Sequence, residues 1–269
     1  KLKIVLGDKI KENVPLADYT TLKIGGAAKL FIDVGSEGEL EEIISLAKKY
    51  NIQYFVLAGG SNLLISDKGF DGLVIRIRFA GIKKIGNKVL VQPGENLQSL
   101  VDFSVKNGLS GIESMTGIPG TVGGAIYGTA GAYGQSISDR LTKVKIFDGV
   151  RKRWISKVEC KFEYRESIFK KHTWVILESE FEFQKAEAGV LRTKAEEILK
   201  LRRKKYPDGL KSPGSFFKNI LIDTVSKKIL KRIPVEKIAF GKIPAGYLLE
   251  VVGAKGKKRL SREHFLRLS

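Results

Sequence analysis

The chain has 269 residues, which is long enough for two or three domains. It carries 48 basic and 29 acidic residues, and its net charge of +19 indicates polyanionic ligands. Nucleic acid is the generic candidate, but the basic residues are scattered and no finger, RNP or helix-turn-helix pattern accompanies them. No apolar run reaches the roughly 20 residues that span a bilayer, and no signal peptide is predicted. The same positive charge would also attract a diphosphate ligand. Part of the charge is explained by basic residues on a solvated surface.

The few cysteines and histidines exclude several kinds of site. Cys160 is the only cysteine, which excludes a disulfide framework and is typical of a reducing cytoplasm. No nucleophile motif surrounds it, so we predict a buried structural thiol rather than a nucleophile. His172 and His264 form no cluster with cysteine or carboxylates, and no metal site is predicted.

Along the chain, hydrophobic periodicity predicts strands mixed with helices. Ser36 and Glu39 form a capping-box pattern before one helix, and Asn96 caps another. The mixture favours α+β domains over one doubly wound sheet, with a last boundary near residue 185. The predicted strands cover residues 29–34, 53–57, 72–77, 88–91, 141–148, 153–155 and 173–183, and the predicted helices cover residues 37–50, 96–106, 122–125, 188–205 and 224–231.

A short glycine-rich segment follows the apolar strand predicted at 53–57. It reads AGGSNL over residues 58–63, and we call it the clamp loop. Its glycines allow close approach of the backbone, while Ser61 and Asn62 add polar side chains, so the pattern predicts a pyrophosphate clamp. It matches neither G-x-G-x-x-G opening a helix nor G-x-x-x-x-G-K-[ST]. A Rossmann or P-loop site is therefore not predicted.

A longer glycine-rich segment covers residues 117–134 and reads GIPGTVGGAIYGTAGAYG. We call it the long glycine loop. Its backbone can press against a flat or charged ligand and offer free N–H groups. Pro119 predicts a rigid turn at its start, and the short helix predicted at 122–125 offers an N-terminus that could bind phosphate. The alternative is a purely structural loop.

Six segments in one order carry a resemblance to a known family. The chain resembles the UDP-N-acetylenolpyruvoylglucosamine reductases of bacterial cell-wall precursor synthesis, in the shorter type that lacks a substrate-covering insertion. Together the segments are specific, although each alone would be weak. They are residues 19–26 (YTTLKIGG), 57–67 (LAGGSNLLISD), 116–125 (TGIPGTVGGA), 130–134 (AGAYG), 164–167 (YRES) and 214–219 (GSFFKN).

The resemblance implies an α+β fold and a flavoenzyme. A two-part FAD-binding domain of the vanillyl-alcohol-oxidase/PCMH type is expected at 1–77 and 78–185, and a C-terminal α+β substrate-binding domain at 186–269. The implied reaction is cytoplasmic. NADPH reduces non-covalently bound FAD, and the hydride passes to the enolpyruvyl group of UDP-N-acetylglucosamine enolpyruvate. The product is UDP-N-acetylmuramate, and neither nucleic acid nor a membrane is an expected partner.

The resemblance also places the flavin. FAD is expected between the two parts of its domain, with its pyrophosphate on residues 59–62 and its isoalloxazine on residues 118–125. The expected cofactor-binding residues are Tyr19, Leu57, Ala58, Gly59, Gly60, Ser61, Asn62, Leu63, Gly117, Ile118, Pro119, Gly120, Thr121, Gly123, Gly124, Ala125, Gly131 and Tyr133.

Two residues match the catalytic positions of the family. Arg165 matches its arginine, whose planar fork suits the substrate carboxylate on which negative charge builds. Ser215 matches its proton donor. Tyr164, Lys218 and Asn219 are expected to bind substrate. Without the resemblance, Arg165 is better explained as a surface charge and Ser215 as a turn residue.

Some features stay open or depart from the family pattern. Residues 202–205 read RRKK and either hold phosphate or place favourable charge at a helix C-terminus. Gly128 and Thr129 stand where Met-Asn is usual, so a flavin contact is expected to change. Ile220 stands where proline is common. The third catalytic group of the family, a C-terminal glutamate, has no counterpart among these residues.

Two other functions compete with this interpretation. A sugar or lactone oxidase of the same fold would share the glycine loops but lack the Tyr-Arg-x-Ser and Gly-Ser-x-Phe-Lys-Asn pair. A basic nucleic-acid binder without enzymatic activity would bind no flavin, and a flavin absorbance spectrum would exclude it.

Overall fold

The computed structural model describes residues 7–206, 209, 211–212 and 214–254. They belong to two compact units, residues 1–212 and residues 213–269. The strands are β1 (Lys11–Pro15), β2 (Ala27–Val34), β3 (Tyr54–Leu57), β4 (Phe70–Ile77), β5 (Ile82–Ile85), β6 (Lys88–Val91), β7 (Leu109–Ser110), β8 (Gly131–Ala132), β9 (Gln135–Ser136), β10 (Leu141–Phe147), β11 (Lys152–Ser156), β12 (Val175–Glu182), β13 (Gln184–Lys185), β14 (Ile220–Leu221) and β15 (Lys242–Ile243). The helices are α1 (Glu37–Lys49), α2 (Leu97–Lys106), α3 (Val122–Tyr127), α4 (Ala188–Lys205), α5 (Lys227–Leu230) and α6 (Ala245–Val251).

The first unit contains two sheets. One has four strands in the order β1-β2-β4-β3, with β4 parallel to both β2 and β3 and β1 antiparallel to β2. The connection from β2 to β3 runs through α1, which packs its apolar face of Leu40, Ile43 and Ile44 against this sheet. The second sheet is antiparallel, in the order β11-β10-β12-β6-β5. The fold is therefore α+β, as the sequence predicts.

Three apolar cores support these layers. The largest joins the second sheet to α2, α3 and part of α4, and another joins the first sheet to α1. A small third core lies at the end of β3 and contains Leu16, Phe31, Leu57 and Val74. Leu57 is the last residue of β3 and is buried there, so the clamp loop leaves the sheet from a fixed point.

Helix α4 lies on the first unit, although the predicted boundary precedes it at residue 185. It packs on α2 and on the short 3-10 turn Glu113–Met115. Leu191 and Ile198 are its buried residues. This is why the first compact unit extends to residue 212. Whether the chain divides at 77 and 185 for binding flavin and substrate stays a prediction.

The predicted elements agree with the structure except in detail. The helix expected at 224–231 is a 3-10 turn, Ile222–Thr224, followed by the short helix Lys227–Leu230, because Val225 between them is extended. The predicted capping box is half formed. The N–H of Glu39 donates to Ser36 Oγ, but the carboxylate of Glu39 accepts the N–H of Gly35 instead of that of Ser36.

Candidate active site

The clamp loop is held against the segment that begins at Tyr19. Gly60 has φ +63°, and a Cβ on it would overlap the carbonyl oxygen of Tyr19. The N–H of Thr21 donates to the carbonyl of Gly60 at 3.2 Å. Leu63 and the Tyr19 ring are partly buried against the small core that contains Leu57. Only glycine fits at position 60. The contacts with Tyr19, Thr21 and the small core fix the conformation of the clamp loop.

The clamp loop keeps its backbone donors available. Among the described residues, the N–H groups of Gly59, Gly60, Ser61 and Asn62 donate no hydrogen bond. Four consecutive unpaired donors in a tight turn are an arrangement that binds anions. The long glycine loop differs at its helix α3. There the N–H of Val122 donates to Glu95 O at 2.8 Å, that of Gly123 to Pro93 O at 2.9 Å, and that of Gly124 to the side chain of the N-cap threonine at 3.2 Å.

The predicted phosphate site at the start of α3 is therefore wrong. Its first-turn donors are used internally, because the segment before α2 runs alongside and accepts them. The N–H groups of Gly120 and Thr121, just before the helix, donate no hydrogen bond within the part of the chain that the structure describes. The available donors of the long glycine loop thus lie beside the clamp loop.

The two loops touch. A Cβ on Gly59 would lie 3.0 Å from Gly120 Cα, and a Cβ on Gly120 would lie 2.6 Å from Ser61 Oγ. The hydroxyl of Ser61 donates to the carbonyl of Pro119 at 3.1 Å. The two polar side chains predicted for the clamp loop therefore differ. Ser61 joins the two loops, whereas the side chain of Asn62 is exposed.

A cleft of about 650 Å³ opens beside this junction. Ala58, Gly59 and Thr121 line it from the two loops. Its basic side chains suit an anionic ligand. Two contacts fix the side chain of Arg76. It forms an ion pair with Asp33, and its guanidinium lies over the Tyr19 ring, 4.8 Å from the ring centre. The cationic lining comprises Lys23, Arg76, Arg78 and Lys211.

The second half of the long glycine loop forms a tight hairpin, β8–β9. Tyr133 and Gly134 occupy its turn with φ of +47° and +83°, which is the geometry of a type I′ turn. Tyr133 is 42% exposed, and the guanidinium of Arg202 lies 5.5 Å from the centre of its ring. A Cβ on Gly117 would lie 3.0 Å from Arg202 Cδ.

Arg202 therefore packs on both ends of the long glycine loop. Its Nε is buried without a hydrogen-bond partner among the described residues, and burial lowers the pKa of its guanidinium. Arg203 and Lys204 are exposed. Arg202 thus packs on the long glycine loop, and charge at the end of a helix suffices for its exposed neighbours. A contact of this basic run with a phosphate stays a prediction.

Arg165 is fastened to the same hairpin. Its Nη1 donates to the carbonyl of Thr129 and its Nη2 to that of Gly131, both at 3.2 Å. Its backbone has φ +61°, a conformation that costs a non-glycine residue about 1 kcal/mol or more. The Tyr164 ring centre lies 5.8 Å from the guanidinium. A plain surface arginine needs none of these constraints.

Further hydrogen bonds join the turn of Arg165 to the long glycine loop. Ser167 Oγ donates to Tyr127 O and Thr129 Oγ1 donates to Glu166 O, both at 2.7 Å. Thr129 has φ +47°, which is unusual for a β-branched residue. The position where the family usually has asparagine thus carries a left-handed threonine that still bridges to the Arg165 turn.

The other predicted residues belong to the second unit. Ser215 and Lys218 are exposed. Gly214 precedes Ser215 with φ +86°. Asn219 Oδ1 accepts the N–H of Ala245 at 3.1 Å, at the start of α6, so its side chain has a structural role there.

Cys160 is buried, as predicted for a structural thiol. Burial raises the pKa of its thiol to about 12, so no thiolate is available as a nucleophile near neutral pH. His172 stacks on Trp174 with ring centres 4.3 Å apart, and His264 lies outside the described residues. Within those residues, no group of three or more metal-ligating side chains is found, and no helix is long and apolar enough to cross a membrane.

Several site residues escape prediction from the sequence. No motif marks the segment with Pro93 and Glu95, yet its carbonyls accept the N–H groups at the start of α3. Gln98 Oε1 accepts the N–H of Gly117 at 2.6 Å. Glu113 is buried beside the long glycine loop. These contacts join residues that are distant in sequence, so no local motif encodes them. The only signals in the sequence are the polar residues of α2 and the single acidic residue, Glu113, in an apolar segment.

The residues present fit FAD. The clamp loop offers unpaired N–H groups, cationic side chains line the cleft beside it, and the glycines remove side chains where the two loops meet. Such a surface suits a flat, diphosphate-bearing ligand.

Comparisons with known proteins agree with this fit. The profile of the FAD binding domain family matches residues 28–150. The UDP-N-acetylenolpyruvoylglucosamine reductase of Solibacter usitatus is 42% identical over 250 residues, covering 93% of this chain and 80% of the relative. That of Clostridium novyi is 35% identical, covering 81% and 72%.

A solved structure gives the same result. The UDP-N-acetylenolpyruvylglucosamine reductase of Thermus caldophilus superposes with a TM-score of 0.72 at 29% identity, over 97% of this chain and 89% of that one. The chain therefore belongs to the UDP-N-acetylenolpyruvoylglucosamine reductase family.

Proposed function

We propose that Arg165 and Ser215 supply the charge and the proton for the reaction of this family. The chain is an FAD-dependent NADPH oxidoreductase that reduces the enolpyruvyl group of UDP-N-acetylglucosamine enolpyruvate to give UDP-N-acetylmuramate. The oxidase of the same fold is not favoured, since the relatives share the reductase name. The assignment of individual residues is our proposal.

The cofactor-binding residues divide between the two loops. Gly59, Gly60, Ser61 and Asn62 hold the pyrophosphate of FAD with backbone donors, and residues 118–125 face the isoalloxazine. When bound, FAD supplies hydride transfer from NADPH to the enolpyruvyl carbon. Tyr19, Leu57 and Leu63 act mainly by fixing the clamp loop, because they are packed in or on the small core beneath it.

Arg165 stabilises the negative charge that develops on the substrate carboxylate as hydride adds to the neighbouring double bond. The observation that carries this proposal is its immobilisation. The guanidinium is anchored to two carbonyls of the long glycine loop, on a strained backbone. A preorganised cation costs little reorganisation during the reaction and is more effective than a mobile one.

Ser215 gives a proton to the carbon that carries the developing charge, and solvent later restores its hydroxyl. Its exposure and the flanking Gly214 allow a substrate to approach. Lys218 contacts a substrate phosphate, and Tyr164 packs beside the carboxylate. Asn219 is used to hold α6, so its proposed contribution to substrate binding is indirect.

We infer a cytoplasmic location from the chemistry. NADPH and UDP-sugars are cytoplasmic metabolites, and the only cysteine is a buried free thiol.

The experiment that tests the proposal uses Arg165→Lys. We expect the variant to bind FAD and to be reduced by NADPH at nearly the wild-type rate. Oxidation of the reduced protein by the enolpyruvyl sugar nucleotide should slow by about 10-fold or more, because a point charge replaces a fixed fork. Arg153→Lys is the matched control, since Arg153 lies on Trp174 and pairs with Asp148.

A wild-type protein that takes no hydride from NADPH, or that passes none to this substrate, would contradict the proposed function. Equal slowing of both half-reactions in Arg165→Lys would contradict only the role of Arg165.

A further inference from the structure

A buried carboxylate stands behind the long glycine loop. Glu113 is only 3% exposed and precedes that loop by a short 3-10 turn. Its Oε2 accepts the N–H of Gly111 at 2.7 Å. Its Oε1 accepts Gln135 Nε2 at 3.1 Å and Lys194 Nζ at 2.5 Å. One side chain thus joins its own segment just before the loop to two distant ones, the β8–β9 hairpin and helix α4.

The hydrogen bonds continue from Glu113 to the proposed catalytic arginine. Gln135 Oε1 also accepts the N–H of Ser114 at 3.2 Å, and Ser114 Oγ donates to Ala132 O at 3.0 Å. Gln135 pairs with Ala132 in the β8–β9 hairpin. The hairpin then presents the carbonyl of Gly131 to the Arg165 guanidinium.

The third connection of Glu113 reaches the other side of the hairpin. Lys194 lies on α4, the helix that also carries Arg202. Arg202 in turn packs on the Tyr133 ring and on Gly117. The ion pair between Glu113 and Lys194 therefore holds α4 in place next to the hairpin. Because α4 carries Arg202, the same ion pair also helps to position the guanidinium that packs on the Tyr133 ring.

Stability alone does not explain a charge at this position. Burying a carboxylate is costly, and replacing a buried ion pair by apolar side chains is often neutral or stabilising. A fully satisfied polar network instead specifies one arrangement of the segments that it joins. Burial by itself would raise the pKa of Glu113, but the hydrogen bonds from Lys194, the backbone and Gln135 outweigh it and hold the pKa at about 2.

We propose that Glu113 is a positioning residue that sets the β8–β9 hairpin and, through it, the Arg165 guanidinium and the Tyr133 ring. This inference rests on the proposed function in one respect, namely the role of Arg165 toward substrate. Glu113 itself contacts neither group, so its effect on the reaction is transmitted through Gln135, Ser114 and the hairpin.

Glu113→Gln tests the proposal on the full chain loaded with FAD. The amide keeps the shape, but in either orientation its NH2 group faces a donor, the N–H of Gly111 or the pair Lys194 and Gln135, and the charge that Lys194 pairs with is lost. The network that holds the hairpin must therefore rearrange. A misplacement of about 1 Å can cost up to about 10²-fold in rate. We expect oxidation of the reduced protein by the enolpyruvyl substrate to slow at least about 10-fold, while reduction by NADPH changes less than about 3-fold.

Glu180→Gln is the matched control. Glu180 is also buried and accepts hydrogen bonds from Thr142 and Lys143, but it lies on β12 of the second sheet, away from the hairpin. A general loss of stability would affect both variants alike. Gln135→Leu is the second variant, because it breaks the same chain and leaves Glu113 paired with Lys194 if Glu113→Gln does not fold.

The outcomes separate the inference from the proposed function. The inference is supported if Glu113→Gln or Gln135→Leu slows the substrate half-reaction selectively and alters the visible circular dichroism of the flavin, while Glu180→Gln does neither. It is overturned if the folded variants match the control. If the wild-type protein does not pass hydride to the enolpyruvyl substrate, the proposed function fails, and the dichroism still decides whether Glu113 sets the hairpin.

Discussion

The two glycine-rich loops of this protein use glycine for different purposes. In the clamp loop, the N–H groups of residues 59–62 donate no hydrogen bond within the described chain, and Gly60 occupies a conformation that only glycine adopts there without overlap. In the long glycine loop, the first donors of α3 are paired with Pro93 and Glu95, and the carbonyls of Thr129 and Gly131 hold Arg165.

The difference shows that glycine content alone does not identify an anion site. The clamp loop offers donors, as a pyrophosphate requires. The long glycine loop offers a closely packed wall without side chains and a scaffold for a cation. In the clamp loop, glycine leaves backbone N–H groups available as hydrogen-bond donors. In the long glycine loop, it lets neighbouring segments pack closely against the backbone.

Among the variants of the two loops, Gly60→Ala should have the largest effect, because it changes the conformation of the clamp loop itself. The new Cβ would overlap the carbonyl oxygen of Tyr19, in addition to the cost of about 1–2 kcal/mol for alanine at positive φ. We expect the Kd for FAD, measured by titration of the FAD-free protein, to rise by about 100-fold or more, equivalent to about 2.7 kcal/mol.

Gly86→Ala is the control for that experiment, since Gly86 has φ +65° with open space around its Cβ position. A similar loss of FAD affinity in both variants would mean that backbone strain, and not the position of the clamp loop, decides binding.

Much of the fold could be predicted from local patterns. Helix α4 matches its predicted range because its apolar residues and basic end are local signals. The clamp loop follows from a local pattern, an apolar strand that runs into two glycines. A fully buried strand is the wrong expectation for β3, because β3 lies at the edge of its sheet and only Leu57 is buried. The helix expected at 224–231 was too long, since Val225 is extended between two short elements.

The rest of the site depends on contacts that are distant in sequence. Pro93 and Glu95 accept the donors of α3, and Glu113 meets Lys194 from 81 positions away. No periodicity or motif announces such pairs. The motif of Arg165 could be found by resemblance, but its anchoring to Gly131 required the structure.

Acid should weaken the support of the long glycine loop. The pKa of Glu113 is held at about 2, below its unfolded value near 4.5, so its contribution to stability is present above about pH 4.5 and is lost as the pH falls toward 2. We expect it to reach at most about 3 kcal/mol, and less where solvent screens the half-exposed Lys194.

Urea unfolding of wild type and Glu113→Gln at successive pH values measures this contribution. The difference between the two proteins should shrink as the pH falls from about 5 to 3. A difference that stays constant over this interval would show that these hydrogen bonds do not lower the pKa of Glu113 in the folded protein.

Gly124→Ala should separate folding from flavin binding. Its Cβ would make only ordinary contacts, the nearest at 3.5 Å to Thr121 Oγ1, and alanine in a helix is better than glycine by up to about 1 kcal/mol. The FAD-free protein should therefore become slightly more stable in thermal unfolding, while FAD binds more weakly if its ring lies on this exposed position of α3.

Gly123→Ala provides the contrast. There the Cβ would lie 2.7 Å from Pro93 Cβ, so the FAD-free protein itself should lose stability, by about 1–3 kcal/mol. Unchanged FAD affinity in Gly124→Ala would place the isoalloxazine elsewhere.

Thr129→Asn should have the smallest effect. Asparagine tolerates φ near +47° better than a β-branched residue, and its amide can still donate toward Glu166 O. We expect a gain of about 0.5–1 kcal/mol and a rise in Tm of about 2–4 °C by scanning calorimetry. A loss of stability would show that the Thr129 hydroxyl matters more than the strain at this residue.

The most direct test of the account is the separate measurement of the two half-reactions in Ser215→Ala by rapid mixing. Reduction of the bound flavin by NADPH needs no proton at the sugar-linked carbon and should remain nearly intact. Oxidation by the enolpyruvyl substrate should slow by at least about 10²–10⁴-fold, the usual contribution of general acid catalysis. If Ser215→Ala slows both half-reactions equally, then Ser215 organises the site or the fold and is not the proton donor.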